Sequence, residues 1–145
     1  MEANENKEVV RRWFEEVWNQ QSSESIRQMF PADGIAHGLA ADGGPLHGPQ
    51  GFMNFHQAFL NAFPDLRISI EDYIAEGDKV AVRWSVTGTL RGNGLGVTAT
   101  GKPMKVTGMS IARIRNGQIV EGWNNFDVLG MHQQVGTLGQ LANVR

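Results

Sequence analysis

The fold of this chain is decided by one stretch, Gly117-Gln118-Ile119-Val120-Glu121-Gly122-Trp123-Asn124-Asn125-Phe126-Asp127, which overlaps a strong hairpin-turn signal at Asn116-Gly117. Side chains alternate across a strand, so one face is expected to carry Ile119, Glu121, Trp123, Asn125 and Asp127. Two carboxylates, an amide and an indole suit a lined cavity better than a packed interior. The stretch therefore predicts one wall of a small-molecule pocket.

The segments before this strand read as helices first and strands afterwards. Apolar residues recur at spacings of three and four over residues 4–20, which predicts an amphipathic helix carrying Phe14 and Trp18. A short helix ending at Pro31, a brief strand over residues 34–38 and a phenylalanine-rich helix over residues 49–63 follow. The last of these helices carries Phe55, His56 and Phe59.

Beyond Pro64 the apolar period changes to two. An antiparallel hairpin is expected, with Ile68, Ile70, Asp72 and Ile74 on one face of its first strand. A further strand over residues 104–115 leads to the Asn116-Gly117 turn, and a short helix is expected near residues 129–136. The glycine-rich residues 92–101 precede a strand, which predicts a mobile loop near the pocket mouth and argues against a phosphate-binding loop.

This order of elements predicts an α+β fold, in which the N-terminal helices cover one face of a strongly curved, mostly antiparallel sheet around a cone-shaped pocket. No repeat or linker divides the chain, so a single domain over residues 1–145 is expected. The outer face of such a sheet needs cover, which predicts a homodimer through the sheets.

The composition bounds the class of protein and of partner. The chain has 41% hydrophobic and 19% charged residues and a net charge of −2, which predicts a soluble globular protein without the basic stripe that nucleic acid requires. It has no cysteine, a polar start and no apolar run long enough to span a membrane. A cytoplasmic location is expected, with no nucleic-acid or membrane partner.

The four histidines do not form a metal site by their spacing, because no pair has a ligand interval and no carboxylate completes one. No metal is expected. His37, at the end of the early strand, and His56, among the phenylalanines, could each contact a ligand in the cone. Each could equally be a hydrogen-bonded core residue.

Several pieces of the chain resemble one family when they are taken in order. They are residues 62–66 (AFPDL), 75–84 (AEGDKVAVRW), 107–121 (TGMSIARIRNGQIVE), Trp123, 127–130 (DVLG) and 133–136 (QQVG). They resemble the SnoaL-like polyketide cyclase (ester cyclase) family of the nuclear transport factor 2-like superfamily. The resemblance runs from the first helix to about Gly136 and implies the superfamily's cone-shaped α+β fold.

The resemblance also implies a reaction, an intramolecular aldol ring closure on a polyketide ester without metal or cofactor. Carried over by motif, the catalytic general acid/base is Asp127, four residues after Trp123. Members with cyclase activity often carry a histidine near the position of Ser110. Serine can donate a hydrogen bond to an enolate but cannot act as a base near neutral pH.

The candidate site therefore comprises Asp127 as the proton carrier and a set of residues that would contact a small apolar or aromatic carbonyl ligand. That set is Trp123, Asn125, His37, His56, Phe14, Trp18, Phe55, Phe59, Ser110 and Glu121. Asp127 could instead cap the following helix, and Glu121 could pair with Arg113 or Arg115 across the hairpin.

Two other functions remain open at this point. The same fold could serve as a non-catalytic ligand-binding or scaffold domain. It could also support epoxide hydrolysis or isomerisation, with Asn125 orienting a water beside the carboxylate.

Overall fold

The computed structural model describes residues 2–141, which form an α+β fold and confirm the predicted fold class. The helices are α1 (Glu2–Arg12) with a π-helical continuation (Trp13–Asn19), α2 (Ser23–Met29), α3 (Gly48–Ala62), α4 (Val128–Val135) and α5 (Leu138–Leu141). The strands are β1 (Ile35–His37), β2 (Leu46–His47), β3 (Arg67–Glu76), β4 (Lys79–Thr89), β5 (Pro103–Arg115) and β6 (Gln118–Phe126). Within these residues no helix is long and apolar enough to cross a bilayer.

The six strands form one sheet in the order β2-β1-β6-β5-β4-β3. Successive long strands pair antiparallel, whereas β1 pairs with β6 in parallel. The predicted turn at Asn116-Gly117 joins β5 to β6, with positive φ angles of 53° and 74°. Both central residues of a type I′ turn need positive φ, which explains why this dipeptide is placed there.

The helices begin and end where their local chemistry requires. The Ser22 hydroxyl accepts a hydrogen bond from the Ser25 amide (3.1 Å) at the start of α2. Pro49 lies in the first turn of α3, and α3 ends before Phe63-Pro64. The helices cover the inner face of the sheet, where β4 buries Val80, Val82, Trp84 and Val86.

Two bulges change which side chains face the cone. In β3, Ile70 pairs with Trp84 and Asp72 pairs with Arg83, which leaves Glu71 as an extra residue. In β6, Ile119 pairs with Ile114 and Glu121 pairs with Arg113, which leaves Val120 as an extra residue. Beyond an extra residue, every side chain of the strand faces the opposite side of the sheet from the one that strict alternation predicts.

The strict alternation expected from the sequence is therefore wrong in both strands. Past Glu71 the inward positions are Tyr73 and Ala75, whereas Asp72 and Ile74 face outward. Past Val120 the inward positions are Gly122, Asn124 and Phe126, whereas Glu121, Trp123 and Asn125 face outward.

The glycine-rich segment packs against helices and does not project as the free loop that the sequence suggested. Added Cβ atoms at Gly92 and Gly94 would overlap backbone carbonyls of α3. Val97 is buried, and the backbone of Thr98 exchanges two hydrogen bonds with the Gln140 side chain (2.6 and 3.3 Å). These contacts tie the segment to both α3 and α5.

The outer face of the sheet carries a row of four apolar residues and one histidine that crosses five strands. Paired residues in this row are Ile74, Ala81, Ile111, Trp123 and His37. Ile74 is 66% exposed, and Met109 in the neighbouring row is 62% exposed. The homodimer expected from the sequence stays a prediction.

A glycine at the end of β1 permits the close approach of β1 and β6, which generates a stability prediction. Gly38 has φ +84°, and an added Cβ would overlap the backbone oxygen of Asn124. Gly38→Ala is expected to lower the free energy of unfolding by at least about 2 kcal/mol, from left-handed strain and this overlap together. Urea unfolding measures it.

The matched control is Gly43→Ala. Gly43 has a similar φ of +81°, but an added Cβ there meets nothing within 4 Å. This change should lower stability by only about 1 kcal/mol, from backbone strain alone. Equal losses in the two variants would show that the β1–β6 approach is not tight.

Candidate functional site

A cavity of about 100 Å³ lies between the inner face of the sheet and the helices. A single water needs about 10–15 Å³ by the same kind of measure, so the cavity has room for several waters, and it is smaller than the roughly 300–1,000 Å³ of a typical ligand pocket. A larger ligand would have to displace side chains of the wall. The cavity wall is mostly apolar, and the aromatic residues in it are Trp13, Phe14, Trp18, Phe30, Phe52, Phe55, Phe59, Trp84 and Phe126. Phe14, Trp18, Phe55 and Phe59 thus line the cavity; their contact with a ligand stays a prediction.

The rings form a connected surface rather than scattered contacts. Trp84 lies 6.4 Å from Phe14 and 6.1 Å from Phe126, measured between ring centroids. Phe126 in turn lies 6.0 Å from Phe59, which lies 4.9 Å from Phe55. Such tilted and edge-on arrangements are favourable for aromatic pairs, and they give the cavity a stiff wall suited to planar ligands.

One polar pair interrupts this apolar wall. Ser110 on β5 and Asn124 on β6 lie directly opposite each other in the strand register. The Ser110 hydroxyl donates to Asn124 Oδ1 (2.7 Å) and accepts from Trp84 Nε1 (3.0 Å), and Asn124 Nδ2 donates to the His37 carbonyl (2.9 Å). These bonds leave one amide hydrogen of Asn124 and one lone pair of Ser110 for a ligand.

Trp84 can reach Ser110 because the residue opposite it on β5 is a glycine. Gly108 pairs with Trp84 in the register, and an added Cβ at Gly108 would overlap the indole ring. The ring can therefore lie flat across β5 and bring its Nε1 to Ser110. Any larger residue at position 108 would displace it.

The described residues that line the cavity include no Asp, Glu, His, Lys or Arg side chain. Among residues 2–141, no three His, Asp or Glu side chains are grouped to hold a metal ion. The polar chemistry of the described wall therefore comes from a hydroxyl, an amide and indole N–H groups. All of these are neutral across the physiological pH range.

The structure places Asp127 outside the cavity. Asp127 is exposed, and its carboxylate accepts a hydrogen bond from the Gly130 amide (2.8 Å), which makes it the N-cap of α4. The expectation that Asp127 and Trp123 lie together on the cavity wall is wrong. The bulge at Val120 comes before both residues and turns the face that carries Trp123 outward. The role of Asp127 as proton carrier stays a prediction to which the described cavity gives no support.

Glu121, Trp123 and His37 form a cluster on the outer face of the sheet. The sequence analysis had predicted that all three would line the pocket. His37 Nε2 lies 2.7 Å from Glu121 Oε2, and the His37 ring stacks on Trp123 at 18°. Arg113 bonds to Glu121 (3.5 Å) and lies over the Trp123 ring. Of the two arginines considered from the sequence as cross-strand partners of Glu121, Arg113 is the one that the structure shows.

The two other candidates also lie away from the cavity. Asn125 is exposed on the outer face, so it cannot orient a water inside the cone. His56 is 2% exposed, and its Nε2 lies 2.6 Å from the Val17 carbonyl of the π-helical segment. His56 thus links α3 to the first helix, which is the core alternative considered from the sequence.

Asn124 is the functional candidate that the sequence analysis missed. The sequence did contain an indication that Asn124 faces inward: Ile119 and Phe126 are both apolar but stand an odd number of residues apart. Both can face the core only if an extra residue lies between them, and that requirement turns Asn124 inward.

Asp127 allows its two interpretations to be separated by mutation. If it acts as an N-cap, Asp127→Asn should leave stability within a few tenths of a kcal/mol, whereas Asp127→Ala should lower it by about 1 kcal/mol. Thermal melting measures both. Neither change should weaken ligand binding in the cavity; an Asn variant with normal melting but lost turnover would restore the catalytic interpretation.

Two buried histidines make stability depend on pH. Burial lowers the pKa of His56, against the opposing effect of its hydrogen bond to Val17, and burial also lowers the pKa of His132. The unfolded chain therefore takes up protons near pH 6.5 that the folded chain does not.

Stability should accordingly fall as the pH drops below about 6.5, by at most about 1.4 kcal/mol per pH unit for each histidine. His56→Leu should reduce this slope between pH 7 and pH 5, while His132 maintains the remainder. Urea unfolding across the pH series measures it. An unchanged slope in the variant would contradict the burial argument for His56.

Comparison with known proteins supports the fold and the family. The chain is 24% identical to a structure from Jannaschia sp. CCS1 assigned to the SnoaL-like polyketide cyclases, covering 92% of each chain with a TM-score of 0.83. It is 29% identical to IdmH from Streptomyces antibioticus, assigned as a polyketide cyclase, covering 90% of this chain and 98% of that one with a TM-score of 0.78.

A Catenulispora acidiphila DSM 44928 protein with a ketosteroid isomerase-like fold matches at 19% identity, covering 89% of this chain and 92% of that one (TM-score 0.74). At this identity it shows the fold alone. Among curated proteins none matches.

The family model for SnoaL-like polyketide cyclases matches residues 8–135, which is most of the chain. The match covers the helices over the cavity, all six strands and α4, and it confirms the resemblance seen in the sequence. This protein belongs to the SnoaL-like polyketide cyclase family.

Proposed function

We propose that this protein binds an apolar carbonyl compound of the polyketide type inside the cone and directs its aldol-type ring closure. The observation that carries the proposal is the Ser110–Asn124 pair, which places hydrogen-bonding groups at one point of an aromatic cavity. One polar anchor in an apolar wall fixes the orientation of a ligand without binding it by charge.

The aromatic wall supports the proposal through positioning. Ring closure within one molecule needs its two reacting carbons held near each other, and a stiff cavity lowers the entropic part of that barrier. Phe14, Trp84 and Phe126 lie next to one another in the wall, with Trp84 6.4 Å from Phe14 and 6.1 Å from Phe126 between ring centroids, and would pack against such a ligand. A carbonyl oxygen would accept from the unused amide hydrogen of Asn124.

A non-catalytic ligand-binding domain is the second candidate. It is favoured by the absence of an ionisable side chain from the described cavity wall. Epoxide hydrolysis needs a carboxylate beside the substrate, and Asp127 and Asn125 lie outside the cavity. We do not propose it.

Binding is tested with three molecules that share one ring system: acetylnaphthalene, ethylnaphthalene and naphthoate. The ketone should bind about tenfold more tightly than the hydrocarbon, because it gains one hydrogen bond at Asn124. Naphthoate should bind most weakly, because no cation faces its charge and it loses its hydration. Isothermal titration calorimetry measures all three.

A cavity-filling variant and a matched control assign the binding to the cone. Gly122 lines the cavity, and an added Cβ would make only ordinary van der Waals contacts, with Asn124 Nδ2 (3.8 Å) and the Ile111 carbonyl (3.9 Å), so Gly122→Leu should abolish binding of the ketone. Asn125→Leu adds the same side chain to the outer face of the same strand and should leave the affinity unchanged. Equal affinity for all three molecules, or binding that survives Gly122→Leu, would contradict the proposed site.

A further inference from the structure

The chain contains two Asn-Gly dipeptides, Asn93-Gly94 and Asn116-Gly117, and this dipeptide is chemically reactive. The amide nitrogen of the glycine can attack the side-chain carbonyl carbon of the asparagine, because glycine has no Cβ to block the approach. The succinimide ring that forms opens in water to an aspartyl or an isoaspartyl residue. The fold decides which of the two dipeptides is free to react.

Asn116-Gly117 is the freer of the two dipeptides. Both residues are exposed at the tip of the β5–β6 hairpin. Within residues 2–141 the Asn116 side chain makes no hydrogen bond, and no loop or turn hydrogen bond uses the Gly117 amide. The carbon that would be attacked and the nitrogen that would attack it are therefore both unengaged.

The hairpin tip can open without disturbing the core. A type I′ turn fixes the backbone on both sides of the Asn116-Gly117 peptide bond, so attack waits for this tip to open. Opening frees residues 115–118, none of which is buried, while the nearest buried pair, Ile114 and Ile119, stays in place. The Gln118 side chain gives up one exposed hydrogen bond to the Gln28 carbonyl (3.1 Å).

Asn93-Gly94 is held on both sides of its peptide bond. Asn93 Oδ1 accepts a hydrogen bond from the Ala99 amide (3.1 Å), and the Asn93 carbonyl accepts one from the Gly96 amide (3.1 Å). Gly94 packs on α3, where an added Cβ would overlap the Ala58 carbonyl. Asn93 must therefore break two hydrogen bonds, for which Asn116 has no counterpart, before it can react.

We propose that Asn116 is a site of spontaneous deamidation in the folded protein and that the fold protects Asn93. The Gly117 amide nitrogen loses its proton and bonds to Asn116 Cγ, and the side-chain nitrogen leaves as ammonia. One water then opens the succinimide. Attack of water at the side-chain carbonyl gives aspartate, and attack at the main-chain carbonyl gives isoaspartate.

Only the isoaspartyl product changes the hairpin. Asp-Gly suits a type I′ turn as well as Asn-Gly does, so the aspartyl product keeps the turn. The isoaspartyl residue makes the main chain one carbon longer between Arg115 and Gln118, which pair directly across the turn. A two-residue turn closes this pair by matching the twist of the strands, so the longer chain should weaken the β5–β6 pairing beside the bulge at Val120.

Peptide mapping by mass spectrometry measures both sites in one sample of protein incubated at mildly alkaline pH. In the folded protein Asn116 should convert at least about tenfold faster than Asn93, because of the two hydrogen bonds that Asn93 has to break. Incubation in guanidinium chloride removes the structure and should bring the two rates close together. A ratio that is the same in both conditions, or an Asn116 that stays intact, would overturn the inference.

Variants of the two asparagines assign the consequence for stability. Asn116→Gly keeps a dipeptide that suits the turn but has no side-chain carbonyl, so its melting temperature should no longer fall during incubation. Asn93→Gly is the matched control and should lose stability during incubation as the wild-type protein does. Freshly purified Asn116→Asp should melt like fresh wild-type protein. An Asn116→Gly variant that loses stability as fast as the wild-type protein would contradict the proposed effect of the isoaspartyl residue.

Discussion

One extra residue in the last long strand, Val120, determines the chemistry of this cavity. By breaking the alternation of β6 it turns Gly122, Asn124 and Phe126 inward and sends Glu121 and Trp123 to the outer face. Without the bulge, a carboxylate and an amide from other positions would occupy the cone. A one-residue shift reverses the face of every side chain beyond it, so a local backbone feature has a global consequence.

The two faces of β6 are then used for different purposes. Inside, Asn124 joins Ser110 and Trp84 and also bonds to the His37 carbonyl, so the polar site and the position of β1 depend on each other. Outside, the His37 ring and Glu121 hold the same pair of strands together (2.7 Å). The short strand β1 is therefore fixed to β6 from both sides of the sheet, and Gly38 allows the close approach that both contacts need.

A neutral polar pair in an aromatic cavity has a clear physical basis. A carboxylate in such a wall loses its hydration and needs compensating partners, whereas an amide and a hydroxyl satisfy each other. In the function proposed above, such a pair serves to orient the ligand.

The sequence by itself determined the element order, the α+β class, the Asn116-Gly117 hairpin and the family, because turn chemistry, helix caps and apolar periodicity are local properties. It also identified Phe14, Trp18, Phe55, Phe59 and Ser110, which do line the cavity. Tertiary structure alone decided which residues of β6 joined them. A bulge is set by how a strand pairs with its neighbours and packs on the core, so strict alternation placed Asp127, Trp123 and Asn125 in the pocket and overlooked Asn124.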